Sequence, residues 1–585
     1  METKWSKFYS DTHSGFSDTT EDTLYTRIAL VCSRYSKRTA YEYFLRKVTY
    51  AEFLEQIDQA ADGWYQLGVR AGDKVLICMG GCPAVFISIY ALDKIGATAV
   101  LCIPDYSPEY LGKLSASINA GYALMSRNQA ANYADMLSKS TVSKIVIGRY
   151  YDYLDFISNI YYSFNDLSVY DNVRINKLKT TYVYWNDIMH KATREHVTVN
   201  TDNEHDAVCF IPESSKESVV CTAFSSRALV VSSHATAFIH REREKKTGHV
   251  TRVLCLNELA FIFTFLIGCN DVFMAGQTFL IFTWHDADNV VGATSITKPD
   301  TIVAFSGTAA KFNGSASSPQ AMKKVSALIT GGTALTAAQK AGLIDIAQST
   351  GNKLDFYYVS GSELTASFAY ASPDILSDRS IGIPLPGNIL KVVDRNTMMD
   401  LKTGSTGEIV VHNHTFCNCN ILEDGEREVP YVKLQDGRNW MFLGVIGKEA
   451  SDGFFYTYGT ISHEAKINSM PVYPERVDKV IALIRGVMDS RSIVIDDIKG
   501  PVLISVIVPH ESYFFNTDLL GGLEQRIREE CEVMLPPAMQ PSEIQFAANF
   551  PVDSKGQTDY GALEERVRRN HEFLTEDNSI DTEEE

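Results

Sequence analysis

The sequence predicts an α/β protein: a large N-terminal domain of α/β sheet subdomains with a β subdomain, then a small α+β C-terminal domain. Three observations carry this expectation. Strand and helix patterns alternate between residues 75 and 147, the mark of a sheet built with helical crossovers. Two later strand-like runs, 389–394 and 407–411, suggest a β subdomain. Past Gly459 the pattern changes to a compact set of short helices and strands. At 585 residues the chain exceeds one ordinary domain.

The elements follow in order. Residues 25–31 read as a leading helix. Thr49 is a candidate cap for a helix over 51–67, in which Phe53, Ile57, Ala60 and Trp64 share one face. A glycine turn at 68–74 leads into a strand over 75–79, a helix over 84–95 and a strand over 98–103. Short strands follow at 124–125 and 143–147. Residues 149–200, rich in Tyr, Asn and Asp, read as a long connection or insertion. Further strands are expected at 207–211, 253–256, 278–282, 301–303, 327–329 and 356–359. In the last part, helices at 474–483, 519–533 and 561–569 accompany strands at 492–495, 502–508 and 544–547. The end, from Thr575, is acidic and reads as a disordered tail.

Composition excludes several classes. With 45% hydrophobic and 22% charged residues, the chain has the make-up of a globular protein. A net charge of −18 argues against nonspecific binding of nucleic acid or anionic membrane. The first residues lack the apolar core of a signal peptide. The longest apolar run, 259–269, is too short to span a bilayer and reads as a buried helix or strand, so no transmembrane segment is expected. Eleven scattered cysteines, an odd number, fit reduced thiols and a cytoplasmic location. His412, His414, Cys417 and Cys419 are metal-ligand types, but each pair is separated by one residue, not the two to four of structural zinc sites. A strand end and a loop is the preferred reading of that cluster.

Several segments, in order, resemble the adenylate-forming superfamily of acyl-CoA synthetases, peptide-synthetase adenylation domains and luciferases, with fatty acyl-CoA ligases the nearest in pattern. Early ones are Thr49-Tyr50-Ala51-Glu52, Gly72-Asp73-Lys74-Val75 and Ala91-Leu92-Asp93-Lys94-Ile95-Gly96-Ala97. Later ones are Gly382-Ile383-Pro384-Leu385-Pro386-Gly387, Gly404 to Ile409, the stretch Asp436 to Gly459, and Phe550-Pro551 with Gly556 and Asp559. The resemblance spans roughly residues 40–570 and implies a large domain over 1–459 and a small one over 460–573 that rotates on a hinge, ahead of the tail at 574–585. It also implies a chemistry: a carboxylate and ATP give an acyl-adenylate, and the acyl group then passes to a thiol.

That chemistry needs phosphate-binding amides, a magnesium carboxylate, a ribose carboxylate and a lysine. The position of the phosphate loop is held by residues 213–221. Ser214 alone of the family's residues remains there; Glu213 and Glu217 add negative charge, Cys221 replaces a lysine, and Lys216 is the one local cation. The resemblance places a vestigial nucleotide site at Gly331, Gly332, Thr333, Ser362 and Glu363, with Glu363 the magnesium candidate. The ribose Asp position is held by Val445, which cannot accept a hydrogen bond. At the hinge Gly459 is kept but Thr460 stands in place of arginine. The catalytic lysine position is held by Gln557, with Lys555 the candidate substitute. The acyl pocket is expected between residues 253–265 and 331–363.

Residues that shape the fold persist while residues that touch nucleotide have changed. The expectation is therefore a pseudoenzyme of this family, with adenylation lost or very weak. It would bind an acyl or carboxylate small molecule, or regulate an active relative or carrier protein in fatty acid metabolism. The alternatives are a divergent active ligase using ATP and Mg²⁺, relying on Lys216 or Lys555, and a pure protein–protein module.

Overall fold

The structure is a computed structural model. It describes Trp5 and residues 20–44, 46–104, 106–153, 181–191, 197–211, 219–282, 290–332, 334–373, 380–413, 416, 418–422, 424–429, 431–467, 470–497, 500–514, 516–552 and 558–580. Mixed α/β architecture is what the alternation predicts. Strands Lys74–Cys78, Thr98–Leu101, Tyr122–Ser126, Lys144–Gly148 and Asp206–Phe210 pair in parallel within a sheet of nine strands among the described residues. A second sheet, of fourteen, runs parallel through Arg252–Cys255, Thr301–Phe305, Ala327–Gly331 and Asp355–Ser362, then turns antiparallel. Its far end is the expected β subdomain, in which Ile389–Val393 pairs with Thr406–His412, and that strand with Asn439–Glu449.

Between the two sheets lies one continuous apolar core. Helix Tyr50–Leu67 is fixed at its start by a capping box in which Thr49 and Glu52 bond reciprocally, and at its end by left-handed Gly68. Its Phe53 is fully buried among the rings of Tyr41, Phe86, Tyr90 and Phe273. Helix Pro83–Ile95 is buried on every side, as its near-continuous apolar sequence requires.

Beyond Thr460, strands Val487–Asp497, Gly500–Pro509 and Glu543–Phe546 form a three-stranded sheet. Helices Pro474–Ile481 and Thr517–Met534 close a separate apolar cluster on one face, and Leu563 and Val567 of the last helix cover the other.

Three features depart from the sequence expectation. Residues 149–200 are not wholly a connection: Thr181–Tyr184 adds a parallel strand beside Lys144–Gly148, and Trp185 packs on Trp64. A four-residue edge strand is too short to show a period. Strands Thr39–Tyr43 and Arg46–Thr49 and helix Pro108–Ser117 carry no distinct local signal either. The last helix, Tyr560–Ile580, enters the acidic segment that reads as a tail. The apolar run at 259–269 is, as expected, a buried helix from Ile262 onward, with a π-turn over Leu266–Asn270. Among the described residues no helix is long and apolar enough to cross a membrane.

Candidate functional site

Parallel strands place functional groups just past their carboxyl ends, so the ends of Ala327–Gly331 and Asp355–Ser362 are where a site belongs. Gly331 is buried there, and Gly332 takes a left-handed φ of +79°. The ring of Phe263 lies directly on Gly331. A Cβ at that position would meet ring carbons at 2.7 Å, so the close approach itself demands glycine. Phe305 flanks Phe263 at 5.3 Å and Phe261 at 5.4 Å. An aromatic wall thus stands where the sequence places the acyl pocket. Tyr358 donates its hydroxyl to the Gly332 carbonyl at 2.6 Å and ties the turn to the neighbouring strand.

Ser362 and Glu363 sit where Asp355–Ser362 folds back onto Ala366–Ala371. The Ser362 hydroxyl is used locally, 2.9 Å from Thr365 Oγ1 and accepting from the Thr365 amide. Glu363 is half-buried in the turn. Ala366, with φ +54°, completes the tight return.

The third component is the joint. In the ladder between Asn439–Glu449 and Phe455–Thr460, Val445 is the direct partner of Thr460. The two positions that the sequence resemblance assigns to a ribose carboxylate and a hinge arginine are therefore neighbours. Val445 is half-buried against the main core. Thr460 gives both its amide and its hydroxyl to Glu475 Oε1, at 3.3 and 2.9 Å. His463 Nδ1 reaches the same oxygen at 2.8 Å. Burial pushes the Glu475 carboxyl up, but the His463 and Thr460 bonds outweigh it and leave it below the ordinary glutamate value. The preserved residues ahead of the joint are structural. Trp440 Nε1 donates to Asp436 at 3.0 Å, and Lys391 stands 4.1 Å from the Trp440 ring.

Residues 212–218 with Lys216, Thr333, and 553–557 with Lys555 and Gln557 lie outside the described residues. So do His414 and Cys417. Of that cluster, His412 belongs to one sheet, bonded to the Asn439 carbonyl, and Cys419 to the other, opposite Ala223.

The sequence profile described as AMP-binding enzyme matches residues 29–418. The chain belongs to that family. Among curated relatives, it is 30% identical over 238 residues to a putative acyl-CoA ligase, YdaB, of Bacillus subtilis, covering 39% of this chain and 42% of that protein. It is 26% identical over 188 residues to the nonribosomal peptide synthetase sidE of Aspergillus fumigatus, covering 32% of this chain and 9% of that one. The matched segments thus span less than half the length of either relative. The fold is that of an anthranilate CoA ligase, AuaEII, solved with anthranoyl-AMP, at TM-score 0.75 and 15% identity over 95% of this chain and 98% of that one. A benzoate CoA ligase from Burkholderia xenovorans superposes at 0.72, with 14% identity, over 93% and 99%.

Two contributors to the site escape sequence reasoning. Phe263 is hidden inside an apolar run whose residues all look like core. Glu475 fits the family's pattern, but nothing local announces its three donors. Replacing Phe263 by Ala is expected to lower stability by about 1–3 kcal/mol through lost packing and to clear the space before Gly331. A thermal-shift panel of carboxylates checks both effects.

Proposed function

We propose that this family member keeps the adenylate-forming fold but has lost, or nearly lost, ATP-dependent activation of carboxylates. It acts instead as a binder of an acyl or carboxylate ligand, or as a regulator of an active relative. The single observation that carries this reading is the pair Val445 and Thr460. At adjacent positions on one ladder, an alkyl side chain faces a threonine whose donors are already taken by Glu475. A ribose there would leave its hydroxyls unpaired, at a cost of roughly 1–3 kcal/mol for each buried group. The described residues therefore fit ATP poorly at this position. We divide the chain into a large unit over 1–459, built on the two large sheets, and a small one over 460–573 with its own three-stranded sheet and core, and place it in the reducing cytosol.

The test is ATP–pyrophosphate exchange with a panel of carboxylic acids from benzoate to long-chain fatty acids. The expected result is no exchange above a no-protein control. Robust, carboxylate-dependent exchange would sink the reading. In that event, loss of activity on Lys216→Ala or Lys555→Ala identifies the lysine that supplies the missing charge.

A further inference from the structure

The joint between the two units holds more ties than a freely turning hinge allows. Glu475 Oε1, on helix Pro474–Ile481, accepts from the Thr460 amide, the Thr460 hydroxyl and His463. Its other oxygen, Oε2, is pressed against Gly459, where a Cβ would stand only 2.5 Å away. His463 in turn lies against the Tyr560 ring of the last helix at 4.2 Å between centroids. One turn along from Glu475, Lys479 Nζ donates to the Thr457 carbonyl and lies 3.2 Å from the Thr457 hydroxyl. Arg395, in the β subdomain, pairs with Glu464 at 3.5 Å. On the opposite side, Thr336 Oγ1 donates to the Met488 carbonyl at 3.3 Å and Gln339 Nε2 to Asp489 at 3.0 Å.

We propose that Glu475 is the bolt of a latch: it clamps Thr460, the last residue of strand Phe455–Thr460 and still paired with Val445 of the large unit, to helix Pro474–Ile481, and so fixes the C-terminal unit in one orientation. The bolt is a charged acceptor with three donors, and bonds to charged groups are the stronger kind. Gly459 is needed because the carboxylate occupies the space of a side chain. Thr460 and His463 supply the donors from residues that directly follow it. The latch explains what these two residues do without a nucleotide, and it rests on the joint's own contacts rather than on the loss of ATP binding.

The test is hydrogen exchange by mass spectrometry on the full chain, comparing wild type with Glu475→Ala and Thr460→Val. In Glu475→Ala, amides of 457–467 are expected to exchange at least about tenfold faster, with strand Gly500–Pro509 unchanged. Thr460→Val is isosteric and removes one donor, so a severalfold rise confined to 457–467 is expected. If Glu475→Ala also loosens 500–509, the small unit has lost its fold, and Thr460→Val decides. Unchanged exchange at 457–467 in Thr460→Val together with unchanged or global effects in Glu475→Ala overturns the latch. A separate arm adds ATP, Mg²⁺ and a carboxylate to wild type. Faster exchange at the joint in that arm counts against the loss of nucleotide binding, while the two variants alone decide the latch.

Discussion

Replacing Asp271 by Asn is expected to remove a pH dependence of stability worth up to about 4 kcal/mol. Asp271 lies just past the π-turn, fully buried, and neither carboxylate oxygen has a hydrogen-bond partner. The hydroxyls of Ser233 and Thr236 are near and lower the carboxyl in part: Thr236 donates to the Ser232 carbonyl, while Ser233 accepts from Asn270 and keeps its own hydroxyl proton. Arg241 attracts the charge, but it is the smallest of the influences on this carboxyl. Burial dominates and pushes the carboxyl up to about 7. The sign follows from the protons bound. Between the unfolded value near 4 and the folded value near 7, the folded state holds a proton that the unfolded state has released. Stability therefore falls as pH rises through that window and levels off above it. Asn stays neutral throughout. The variant is expected to match wild type near pH 4 and exceed it above pH 7, as read from denaturant midpoints. Parallel pH profiles for the two proteins would show that Asp271 has found a partner.

Gly382→Ala is expected to destabilise the large unit by about 3 kcal/mol or more. Gly382 has φ +94°, which an L side chain rarely adopts. A Cβ there would stand 1.9 Å from the Tyr370 carbonyl oxygen. That oxygen is backbone in strand Ala366–Ala371, and Tyr370 is packed on Phe238 at 5.1 Å, so the strand has no room to yield. Gly382 also carries a bulge in the ladder to Phe455–Thr460, where its amide is held by Ser380. The break would therefore spread toward the joint. Denaturant unfolding, or loss of soluble expression beside a Gly121→Ala control in open space and without a left-handed φ, checks this.

These two residues show what local sequence can and cannot announce. Gly382 stands in a run of glycines and prolines that the family resemblance marks, and its backbone geometry explains why glycine is kept. Asp271 follows an apolar run and looks like an ordinary end to it. Its isolation arises only when helices Leu24–Arg34 and Ser226–Thr236 pack against its own helix. Phe263 and Glu475 are of the second kind. Each sits in a stretch that the sequence places correctly, with partners far away or across a turn.

The sequence by itself determined the family, the parallel strands near 75–79, 98–103, 124–125, 143–147 and 207–211, and Thr49 as the cap of the helix that follows it. All of these are written within a few neighbouring residues, in caps, turns and periods. The tertiary structure alone decided that strand Thr39–Tyr43 lies beside Thr278–Ile281, that Phe263 rests on Gly331, and that Val445 faces Thr460. The physical reason is that sheet register and ring packing join residues through space. A bulge between Ile446 and Gly447 sets which residue meets which, and no local pattern records it.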